Sequence, residues 1–205
     1  MSTDTERRLS NYKEETKKFG ENLVQTIFPK RVFELEELLK SLKLDGNSET
    51  LDFNTASNII PIHNKLKSLM EILKPLITRL MDEALHVRLW IQFNIPKIED
   101  GNNFGVSIQE EALSEAANIE RDACAFLEQM SRYHVSRARV LSKVQKFPQI
   151  EDYRACVCDM DLKQEIGLKY IIMEMRNHYA ILHDLINKNI DRIKIPRTDN
   201  SISMY

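Results

Sequence analysis

The chain has 205 residues, with 29 basic and 31 acidic side chains and a formal net charge of −2, a balance that gives no electrostatic drive toward nucleic acid. Five glycines, six prolines, 29% charged and 42% hydrophobic residues speak against a sheet protein and for long helices with solvated faces around one core. No apolar run reaches the roughly 18 residues that a membrane-spanning helix needs, and the polar start from Met1 to Lys18 is unlike a secretory signal peptide.

In chain order, Leu9, Tyr12, Phe19, Leu23 and Ile27 begin a helical stripe that Val32, Leu35, Leu38 and Leu42 continue, with Pro29 between them predicting a kink or short break. Residues 43–57 are polar, with Asp45-Gly46-Asn47-Ser48 as turn chemistry, and read as an exposed variable loop. A second stripe runs Ile62, Leu66, Leu69, Leu73, Leu76, Leu80, Ala84, Val87, Ile91. Pro75 inside it predicts a bend near Glu71, because the proline removes a backbone donor. Pro96, Gly101 and Gly105 end that segment.

The third helix is expected over Ser107–Phe147, with Ile119, Phe126, Tyr133, Val140 and Phe147 recurring every seven residues and Leu127, His134 and Leu141 widening the stripe. Ser107 followed by Glu110 fits a capping box at its start, and Pro148 stops it. A fourth helix is expected from near Asp152 to just before Pro196, on the stripe Leu168, Ile172, Met175, Tyr179, Leu182, Ile186, Ile190, Ile193. Residues 197–205 form a short polar tail. Helices of this length are roughly 50–60 Å long, and four in sequence make an all-α, antiparallel four-helix bundle of a single domain the simplest architecture.

Catalytic chemistry finds little footing. His178 and His183 do not share a helix face, and the pair of Glu-x-x-His motifs with two further glutamates that a di-iron bundle uses is missing. No nucleophile elbow, Walker-type loop or dinucleotide fingerprint occurs. Cys124, Cys156 and Cys158 lack zinc-site spacing, so reduced thiols in the nucleus or cytoplasm are expected. Met70, Met130 and Met175 read as core filling, and His134 as a hydrogen-bonded packing residue. No metal or cofactor is expected. These features describe an interaction or assembly protein, such as a non-catalytic helical adaptor or scaffold, in preference to an enzyme.

The segment Trp90-Ile-Gln-Phe-Asn-Ile-Pro-Lys-Ile-Glu-Asp-Gly-Asn-Asn-Phe-Gly-Val-Ser-Ile-Gln-Glu-Glu111, with Ser131–Arg139, Phe147–Arg154 and Leu182–Ile190, resembles the eleven-S regulator, or REG, family of proteasome activators, and its gamma branch most. The resemblance covers Ile62 to Tyr205. It implies a heptameric, homo-oligomeric ring with a central channel that caps the proteasome core particle and opens its substrate gate, without consuming ATP and without cutting peptides itself.

It further implies an activation loop at Pro148, Gln149, Ile150, Glu151, Asp152 and Tyr153, and a core-particle docking tail at Ser201, Ile202, Ser203, Met204 and Tyr205. No nucleic-acid or membrane partner is implied. The gamma-like wording points to the nucleus, although residues 43–57 hold a single lysine where that branch carries a basic import cluster.

Overall fold

The computed structural model describes residues 2–42, 61–97 and 103–197. The variable loop at 43–57 and the tail residues Ser201–Tyr205 lie outside these. Among the described residues the elements are α1 (Ser2–Asn22), a π-helical turn (Leu23–Ile27), α2 (Phe28–Ser41), α3 (Asn64–Asn94), α4 (Phe104–Lys146), α5 (Glu151–Lys188) and the short α6 (Ile190–Lys194). The four long rods, counting α1 with α2 as one, form the expected bundle.

The break expected at Pro29 is replaced by the π turn that immediately precedes it. Pro29 falls at the beginning of α2, where its missing N–H costs little, and the widened turn lets the rod continue. Pro75 lies inside an unbroken α3, on its exposed side, where water can take the carbonyl that a proline leaves unpaired. The capping box at Ser107 does not form: α4 begins at Phe104, and the Ser107 hydroxyl donates back to the Phe104 carbonyl at 2.7 Å. The hydroxyl satisfies a helix-interior acceptor because the helix has already started.

α3 packs against α1 and α4, and α5 packs against α2 and α4, while α4 touches neither α1 nor α2 among the described residues. α3 and α5 therefore stand on one diagonal of a square, and α4 and the α1–α2 rod on the other. The stripes expected on α3 and α5 are core: Leu66, Leu69, Leu73, Leu80, Ala84, Val87 and Ile91, then Leu168, Ile172, Met175, Tyr179, Leu182, Ile186 and Ile193, are all buried. Leu76 and Ile190 are partly buried against this core, and Ile62 is exposed ahead of the helix start.

On α4 the seven-residue reading was too coarse. Its core face is Ala112, Ala116, Ile119, Ala123, Met130 and Tyr133, following the 3.6-residue period, and small alanines let the neighbouring helices approach closely. Met70, Met130 and Met175 fill the core as expected.

Two buried polar networks brace the rods. In the middle, Glu83 on α3 accepts from Arg31 on α2 at 2.8 and 3.1 Å and from the Tyr179 hydroxyl on α5 at 2.6 Å. Burial and the Glu83 charge push the Tyr179 hydroxyl well above the ordinary tyrosine range. Burial works against ionisation of Glu34 beside it, but hydrogen bonds from Arg79 and Arg31 outweigh that and hold its carboxyl below the usual value.

Toward the end where α4 meets α5, Arg137 grips Asp161 with both Nε (2.9 Å) and Nη2 (3.2 Å), the Tyr133 hydroxyl donates to the same carboxylate at 2.6 Å, and Arg137 Nη1 reaches the Pro61 carbonyl at 3.4 Å. Each charge there has its partners, which a buried ion requires.

Candidate functional site

Glu83 and His86 make up a Glu-x-x-His sequence on α3 that the sequence reading passed over, but both side chains are engaged elsewhere. Glu83 is committed to Arg31 and Tyr179, while His86 Nδ1 lies 2.8 Å from the Asp82 carbonyl and its ring meets Phe19 edge-on. His178 packs against Phe126, with Nε2 3.4 Å from an Asp122 oxygen. His134 is half-buried beside Tyr133, and burial, Lys74 and Arg137 lower its pKa; it has no hydrogen-bond partner among the described residues, so its packing role does not use one. The three cysteines are free thiols. A cleft of about 600 Å³ between α4 and α5 is lined by residues that include Gln129, Arg132, Tyr133, Ser136, Lys163 and Ile166.

The Pro148–Tyr153 segment is a tight turn between α4 and α5. Phe147 ends α4 with its N–H on the Lys143 carbonyl (2.8 Å), and the Ile150 N–H returns to the Phe147 carbonyl (3.1 Å). Pro148, Gln149, Ile150, Glu151 and Asp152 are exposed and Tyr153 is half-buried. Lys143 lies over the Tyr153 ring at 5.6 Å and Lys146 over Phe147 at 5.3 Å. Glu151 and Asp152 occupy the first turn of α5, where the helix dipole favours carboxylates. Local rules account for the shape of this turn.

The other end of α5 is built differently. The chain turns at Asn189 into α6, and the last described residues are fastened to the start of α4. A Cβ on Gly105 would stand 2.0 Å from the Pro196 carbonyl oxygen, so only glycine lets the departing chain lie this close. One turn further along α4, the fully buried Gln109 donates through Nε2 to the carbonyls of Ile193 (2.8 Å) and Asn94 (3.1 Å), tying α6 and the end of α3 together. Arg197 closes the arrangement, donating to the Lys97 carbonyl at 2.8 Å and to Asn103 Oδ1 at 2.9 Å. The base of the tail is thus held against both flanks of the 98–102 connector, which itself lies outside the described residues.

Matches to known proteins agree with this architecture. The family described as Proteasome activator PA28, C-terminal, matches residues 59–203, and Proteasome activator PA28, N-terminal, matches residues 3–51. The chain belongs to the PA28 family of proteasome activators. Proteins named proteasome activator complex subunit 3 are similar to it. The Gallus gallus one is 43% identical over 171 residues, covering 82% of this chain and 67% of that protein. The Homo sapiens one is 34% identical over 241 residues, covering 97% and 95%.

Among solved structures, the 11S subunit of the Plasmodium falciparum proteasome, PA28, superposes with a TM-score of 0.89 at 30% identity over 96% of both chains. PA26 in a complex with the archaeal 20S proteasome shares the fold at a TM-score of 0.72 and 15% identity, over 95% of both chains. No helix among the described residues is long and apolar enough to cross a membrane.

The Pro148–Tyr153 turn and the base of the tail are not brought together, and Ser201–Tyr205 lie outside the described residues. α5 has 38 residues and spans about 57 Å at 1.5 Å per residue, with the Pro148–Tyr153 turn at one end and the tail base at the other. The sequence reading missed the fastening of the tail by Gly105, Gln109, Asn103 and Arg197, although three of these lie within its most distinctive segment. A glycine four residues before a glutamine at a helix start was the available signal, but their partners Pro196 and Ile193 are more than 80 positions away.

Proposed function

We propose that the chain is a non-catalytic, ATP-independent activator that caps the proteasome core particle as the family's heptameric ring, docking by its C-terminal tails with the Lys97–Asn103–Arg197 end toward the core. The observation that carries this reading is the clamp on the tail base: Pro196 seated on Gly105, and Arg197 bonded to Lys97 and Asn103. A tail held at its root presents its last residues in a narrow range of positions, so seven copies can engage together and gain from effective concentration. Ser201–Tyr205, with the terminal carboxylate and the apolar Met204 and Tyr205, supply the docking chemistry. The activator works where the core particle is, in nucleus or cytoplasm.

The same geometry argues for a different gate-contacting element than Pro148–Tyr153. From Arg197 to Tyr205 a fully extended chain spans less than about 30 Å at 3.6 Å per residue, about half the length of α5. Tails leaving one end of the bundle cannot dock on a surface that the opposite turn also touches. The connector joining Lys97 to Asn103 is therefore our choice for the segment that meets the gate, its two flanks being tied to the tail base.

A latent core particle and a fluorogenic peptide test both parts. Deleting Met204 and Tyr205 is expected to abolish stimulation by weakening binding. Glu99→Arg/Asp100→Arg is expected to keep binding and lose stimulation, while Glu151→Arg/Asp152→Arg keeps both. Loss of stimulation with binding intact in the Glu151/Asp152 variant alone would return the gate contact to the Pro148 turn. A confirmed ring that never stimulates the core particle would overturn the activator reading.

A further inference from the structure

A ring of identical bundles needs two different lateral faces on each copy, one meeting the other at the same height, because cyclic symmetry permits rotation without translation along the axis. α5 provides a candidate for the first. Besides its buried stripe it exposes a second apolar line, Leu162, Ile166, Tyr170 and Ile181, with exposures of 36, 48, 58 and 52%. A helix that is apolar on both its inner and outer sides is expected to be covered on both. The outward side of α4 is unlike it: Val135 stands there among Glu128, Arg132 and Arg139, all exposed.

The second face has to point the opposite way, and α3 lies diagonally across the bundle from α5. Its exposed side carries Glu71, Ile72, Lys74 and Pro75, with Ile72 at 48% exposure. The heights of the two faces are set by two contacts across the diagonal. Lys65 pairs with Glu165 at 2.7 Å, and Glu83 accepts from Tyr179 at 2.6 Å, sequence separations of 100 and 96 between helices that run in the same direction. Interpolating between them puts Ile72 level with Tyr170 and Glu71 level with Lys169, and leaves Lys74 about 3 Å below Glu174.

At these heights Ile72 meets Tyr170, while Glu71 and Lys74 each lie near an opposite charge. Lys74, Lys169 and Glu174 are exposed and make no ion pair among the described residues, and Glu71 has only a 3.9 Å approach from Lys67. Such matching at equal height is what a heterologous interface requires and what an ordinary solvated helix face has no reason to show.

From this we infer that the outer face of α5, centred on Ile166 and Tyr170, is covered by the outer face of α3 of a second copy of this chain, with Ile72 packed on Tyr170, Lys74 paired with Glu174 and Glu71 with Lys169. α4 and the α1–α2 rod then face the axis and the periphery of the ring. The inference rests on the ring-forming activator reading and names the surfaces that build the ring.

Native mass spectrometry and sedimentation of the full chain across a concentration series test it. Lys74→Glu and Glu174→Lys each place like charges in contact, and each is expected to raise the concentration at which rings dissociate by roughly tenfold or more. The double variant Lys74→Glu/Glu174→Lys is expected to recover most of that loss. Tyr170→Asp is expected to give folded monomers, with helical content by circular dichroism unchanged.

If the unaltered chain forms no ring, the activator reading fails. If it forms rings that the single charge reversals and Tyr170→Asp leave intact, or if the double variant is no better than the singles, the assigned interface fails while that reading stands.

Discussion

At the end of the bundle where the chain leaves α6, the acceptors that hold the tail base are neutral: the Gln109 carboxamide and the Arg197 guanidinium reach backbone carbonyls and an asparagine, and Pro196 fits against a glycine, while the Lys194–Glu21 ion pair that ties α6 to α1 at 2.6 Å is part-exposed. At the other end, the Arg137–Asp161 pair joins α4 to α5 with both ions buried and Tyr133 completing the carboxylate's shell. The first arrangement fixes the base of the tail at Pro196 and Arg197, and its geometry depends chiefly on shape and backbone acceptors, which salt screens little. The second holds two helices in register beside a tight turn, and it fails badly if either partner is lost. On the proposed reading, shape fixes the end that docks, and a fully buried ion pair braces the end that does not.

The largest test of that contrast is at the charged end. Asp161→Ala strands a buried guanidinium and is expected to cost about 3–5 kcal/mol by chemical denaturation. Replacing both partners together by leucine should recover much of it, and stimulation of the core particle per folded ring should stay close to normal in either case.

At the tail end, Gly105→Ala is expected to cost about 1–3 kcal/mol and, in addition, to lower stimulation, because the Pro196 backbone has to move. Gly167→Ala is the control: its Cβ would meet only the mobile end of Gln129, at 2.8 Å, and it should leave stimulation unchanged. Gln109→Leu removes the donor shared by Asn94 and Ile193 and is expected to cost about 1–3 kcal/mol, with a fall in tail-dependent binding measured on the immobilised core particle.

The smallest effect concerns pH. Burial first, and then the hydrogen bond to Asp161, raise the Tyr133 pKa above its ordinary value of 10.0, and Tyr179 is raised likewise by burial and Glu83. Because the folded values are the higher ones, the stability linked to these groups is complete below the ordinary tyrosine pKa and is lost as pH climbs past it toward the raised folded values. Thermal melts above pH 10 are therefore expected to fall less steeply for Tyr133→Phe than for the unaltered chain. An identical slope would count against the burial of that hydroxyl.

Much of the fold was legible because helical periodicity is a local property. The stripes on α3 and α5 needed only neighbours three and four residues away, and nearly every residue on them is buried. The errors came where a local signal had competition. Ser107 resembled a cap but lies inside α4, and Pro29 resembled a break but follows a π turn. On α4 the large residues every seven positions drew attention from the alanines that actually face the core.

The candidate site was less legible. Its identifying segment could be recognised, yet the residues that fasten the tail act on partners far along the chain, such as Gln109 on Ile193 and Arg197 on Lys97.

By itself, then, the sequence determined a long-helix bundle, most of the core residues of α3 and α5, and membership of a family of activators. Only the tertiary structure decided which ends of the helices coincide. It put the base of the tail beside Lys97 and Asn103 and the Pro148 turn a full helix length away, and it set Ile72 level with Tyr170 across the bundle. The physical reason is that periodicity specifies which face of each rod is buried, whereas the heights at which rods meet depend on contacts between residues 80 to 100 positions apart, such as Gln109–Ile193 and Lys65–Glu165, which no local pattern encodes.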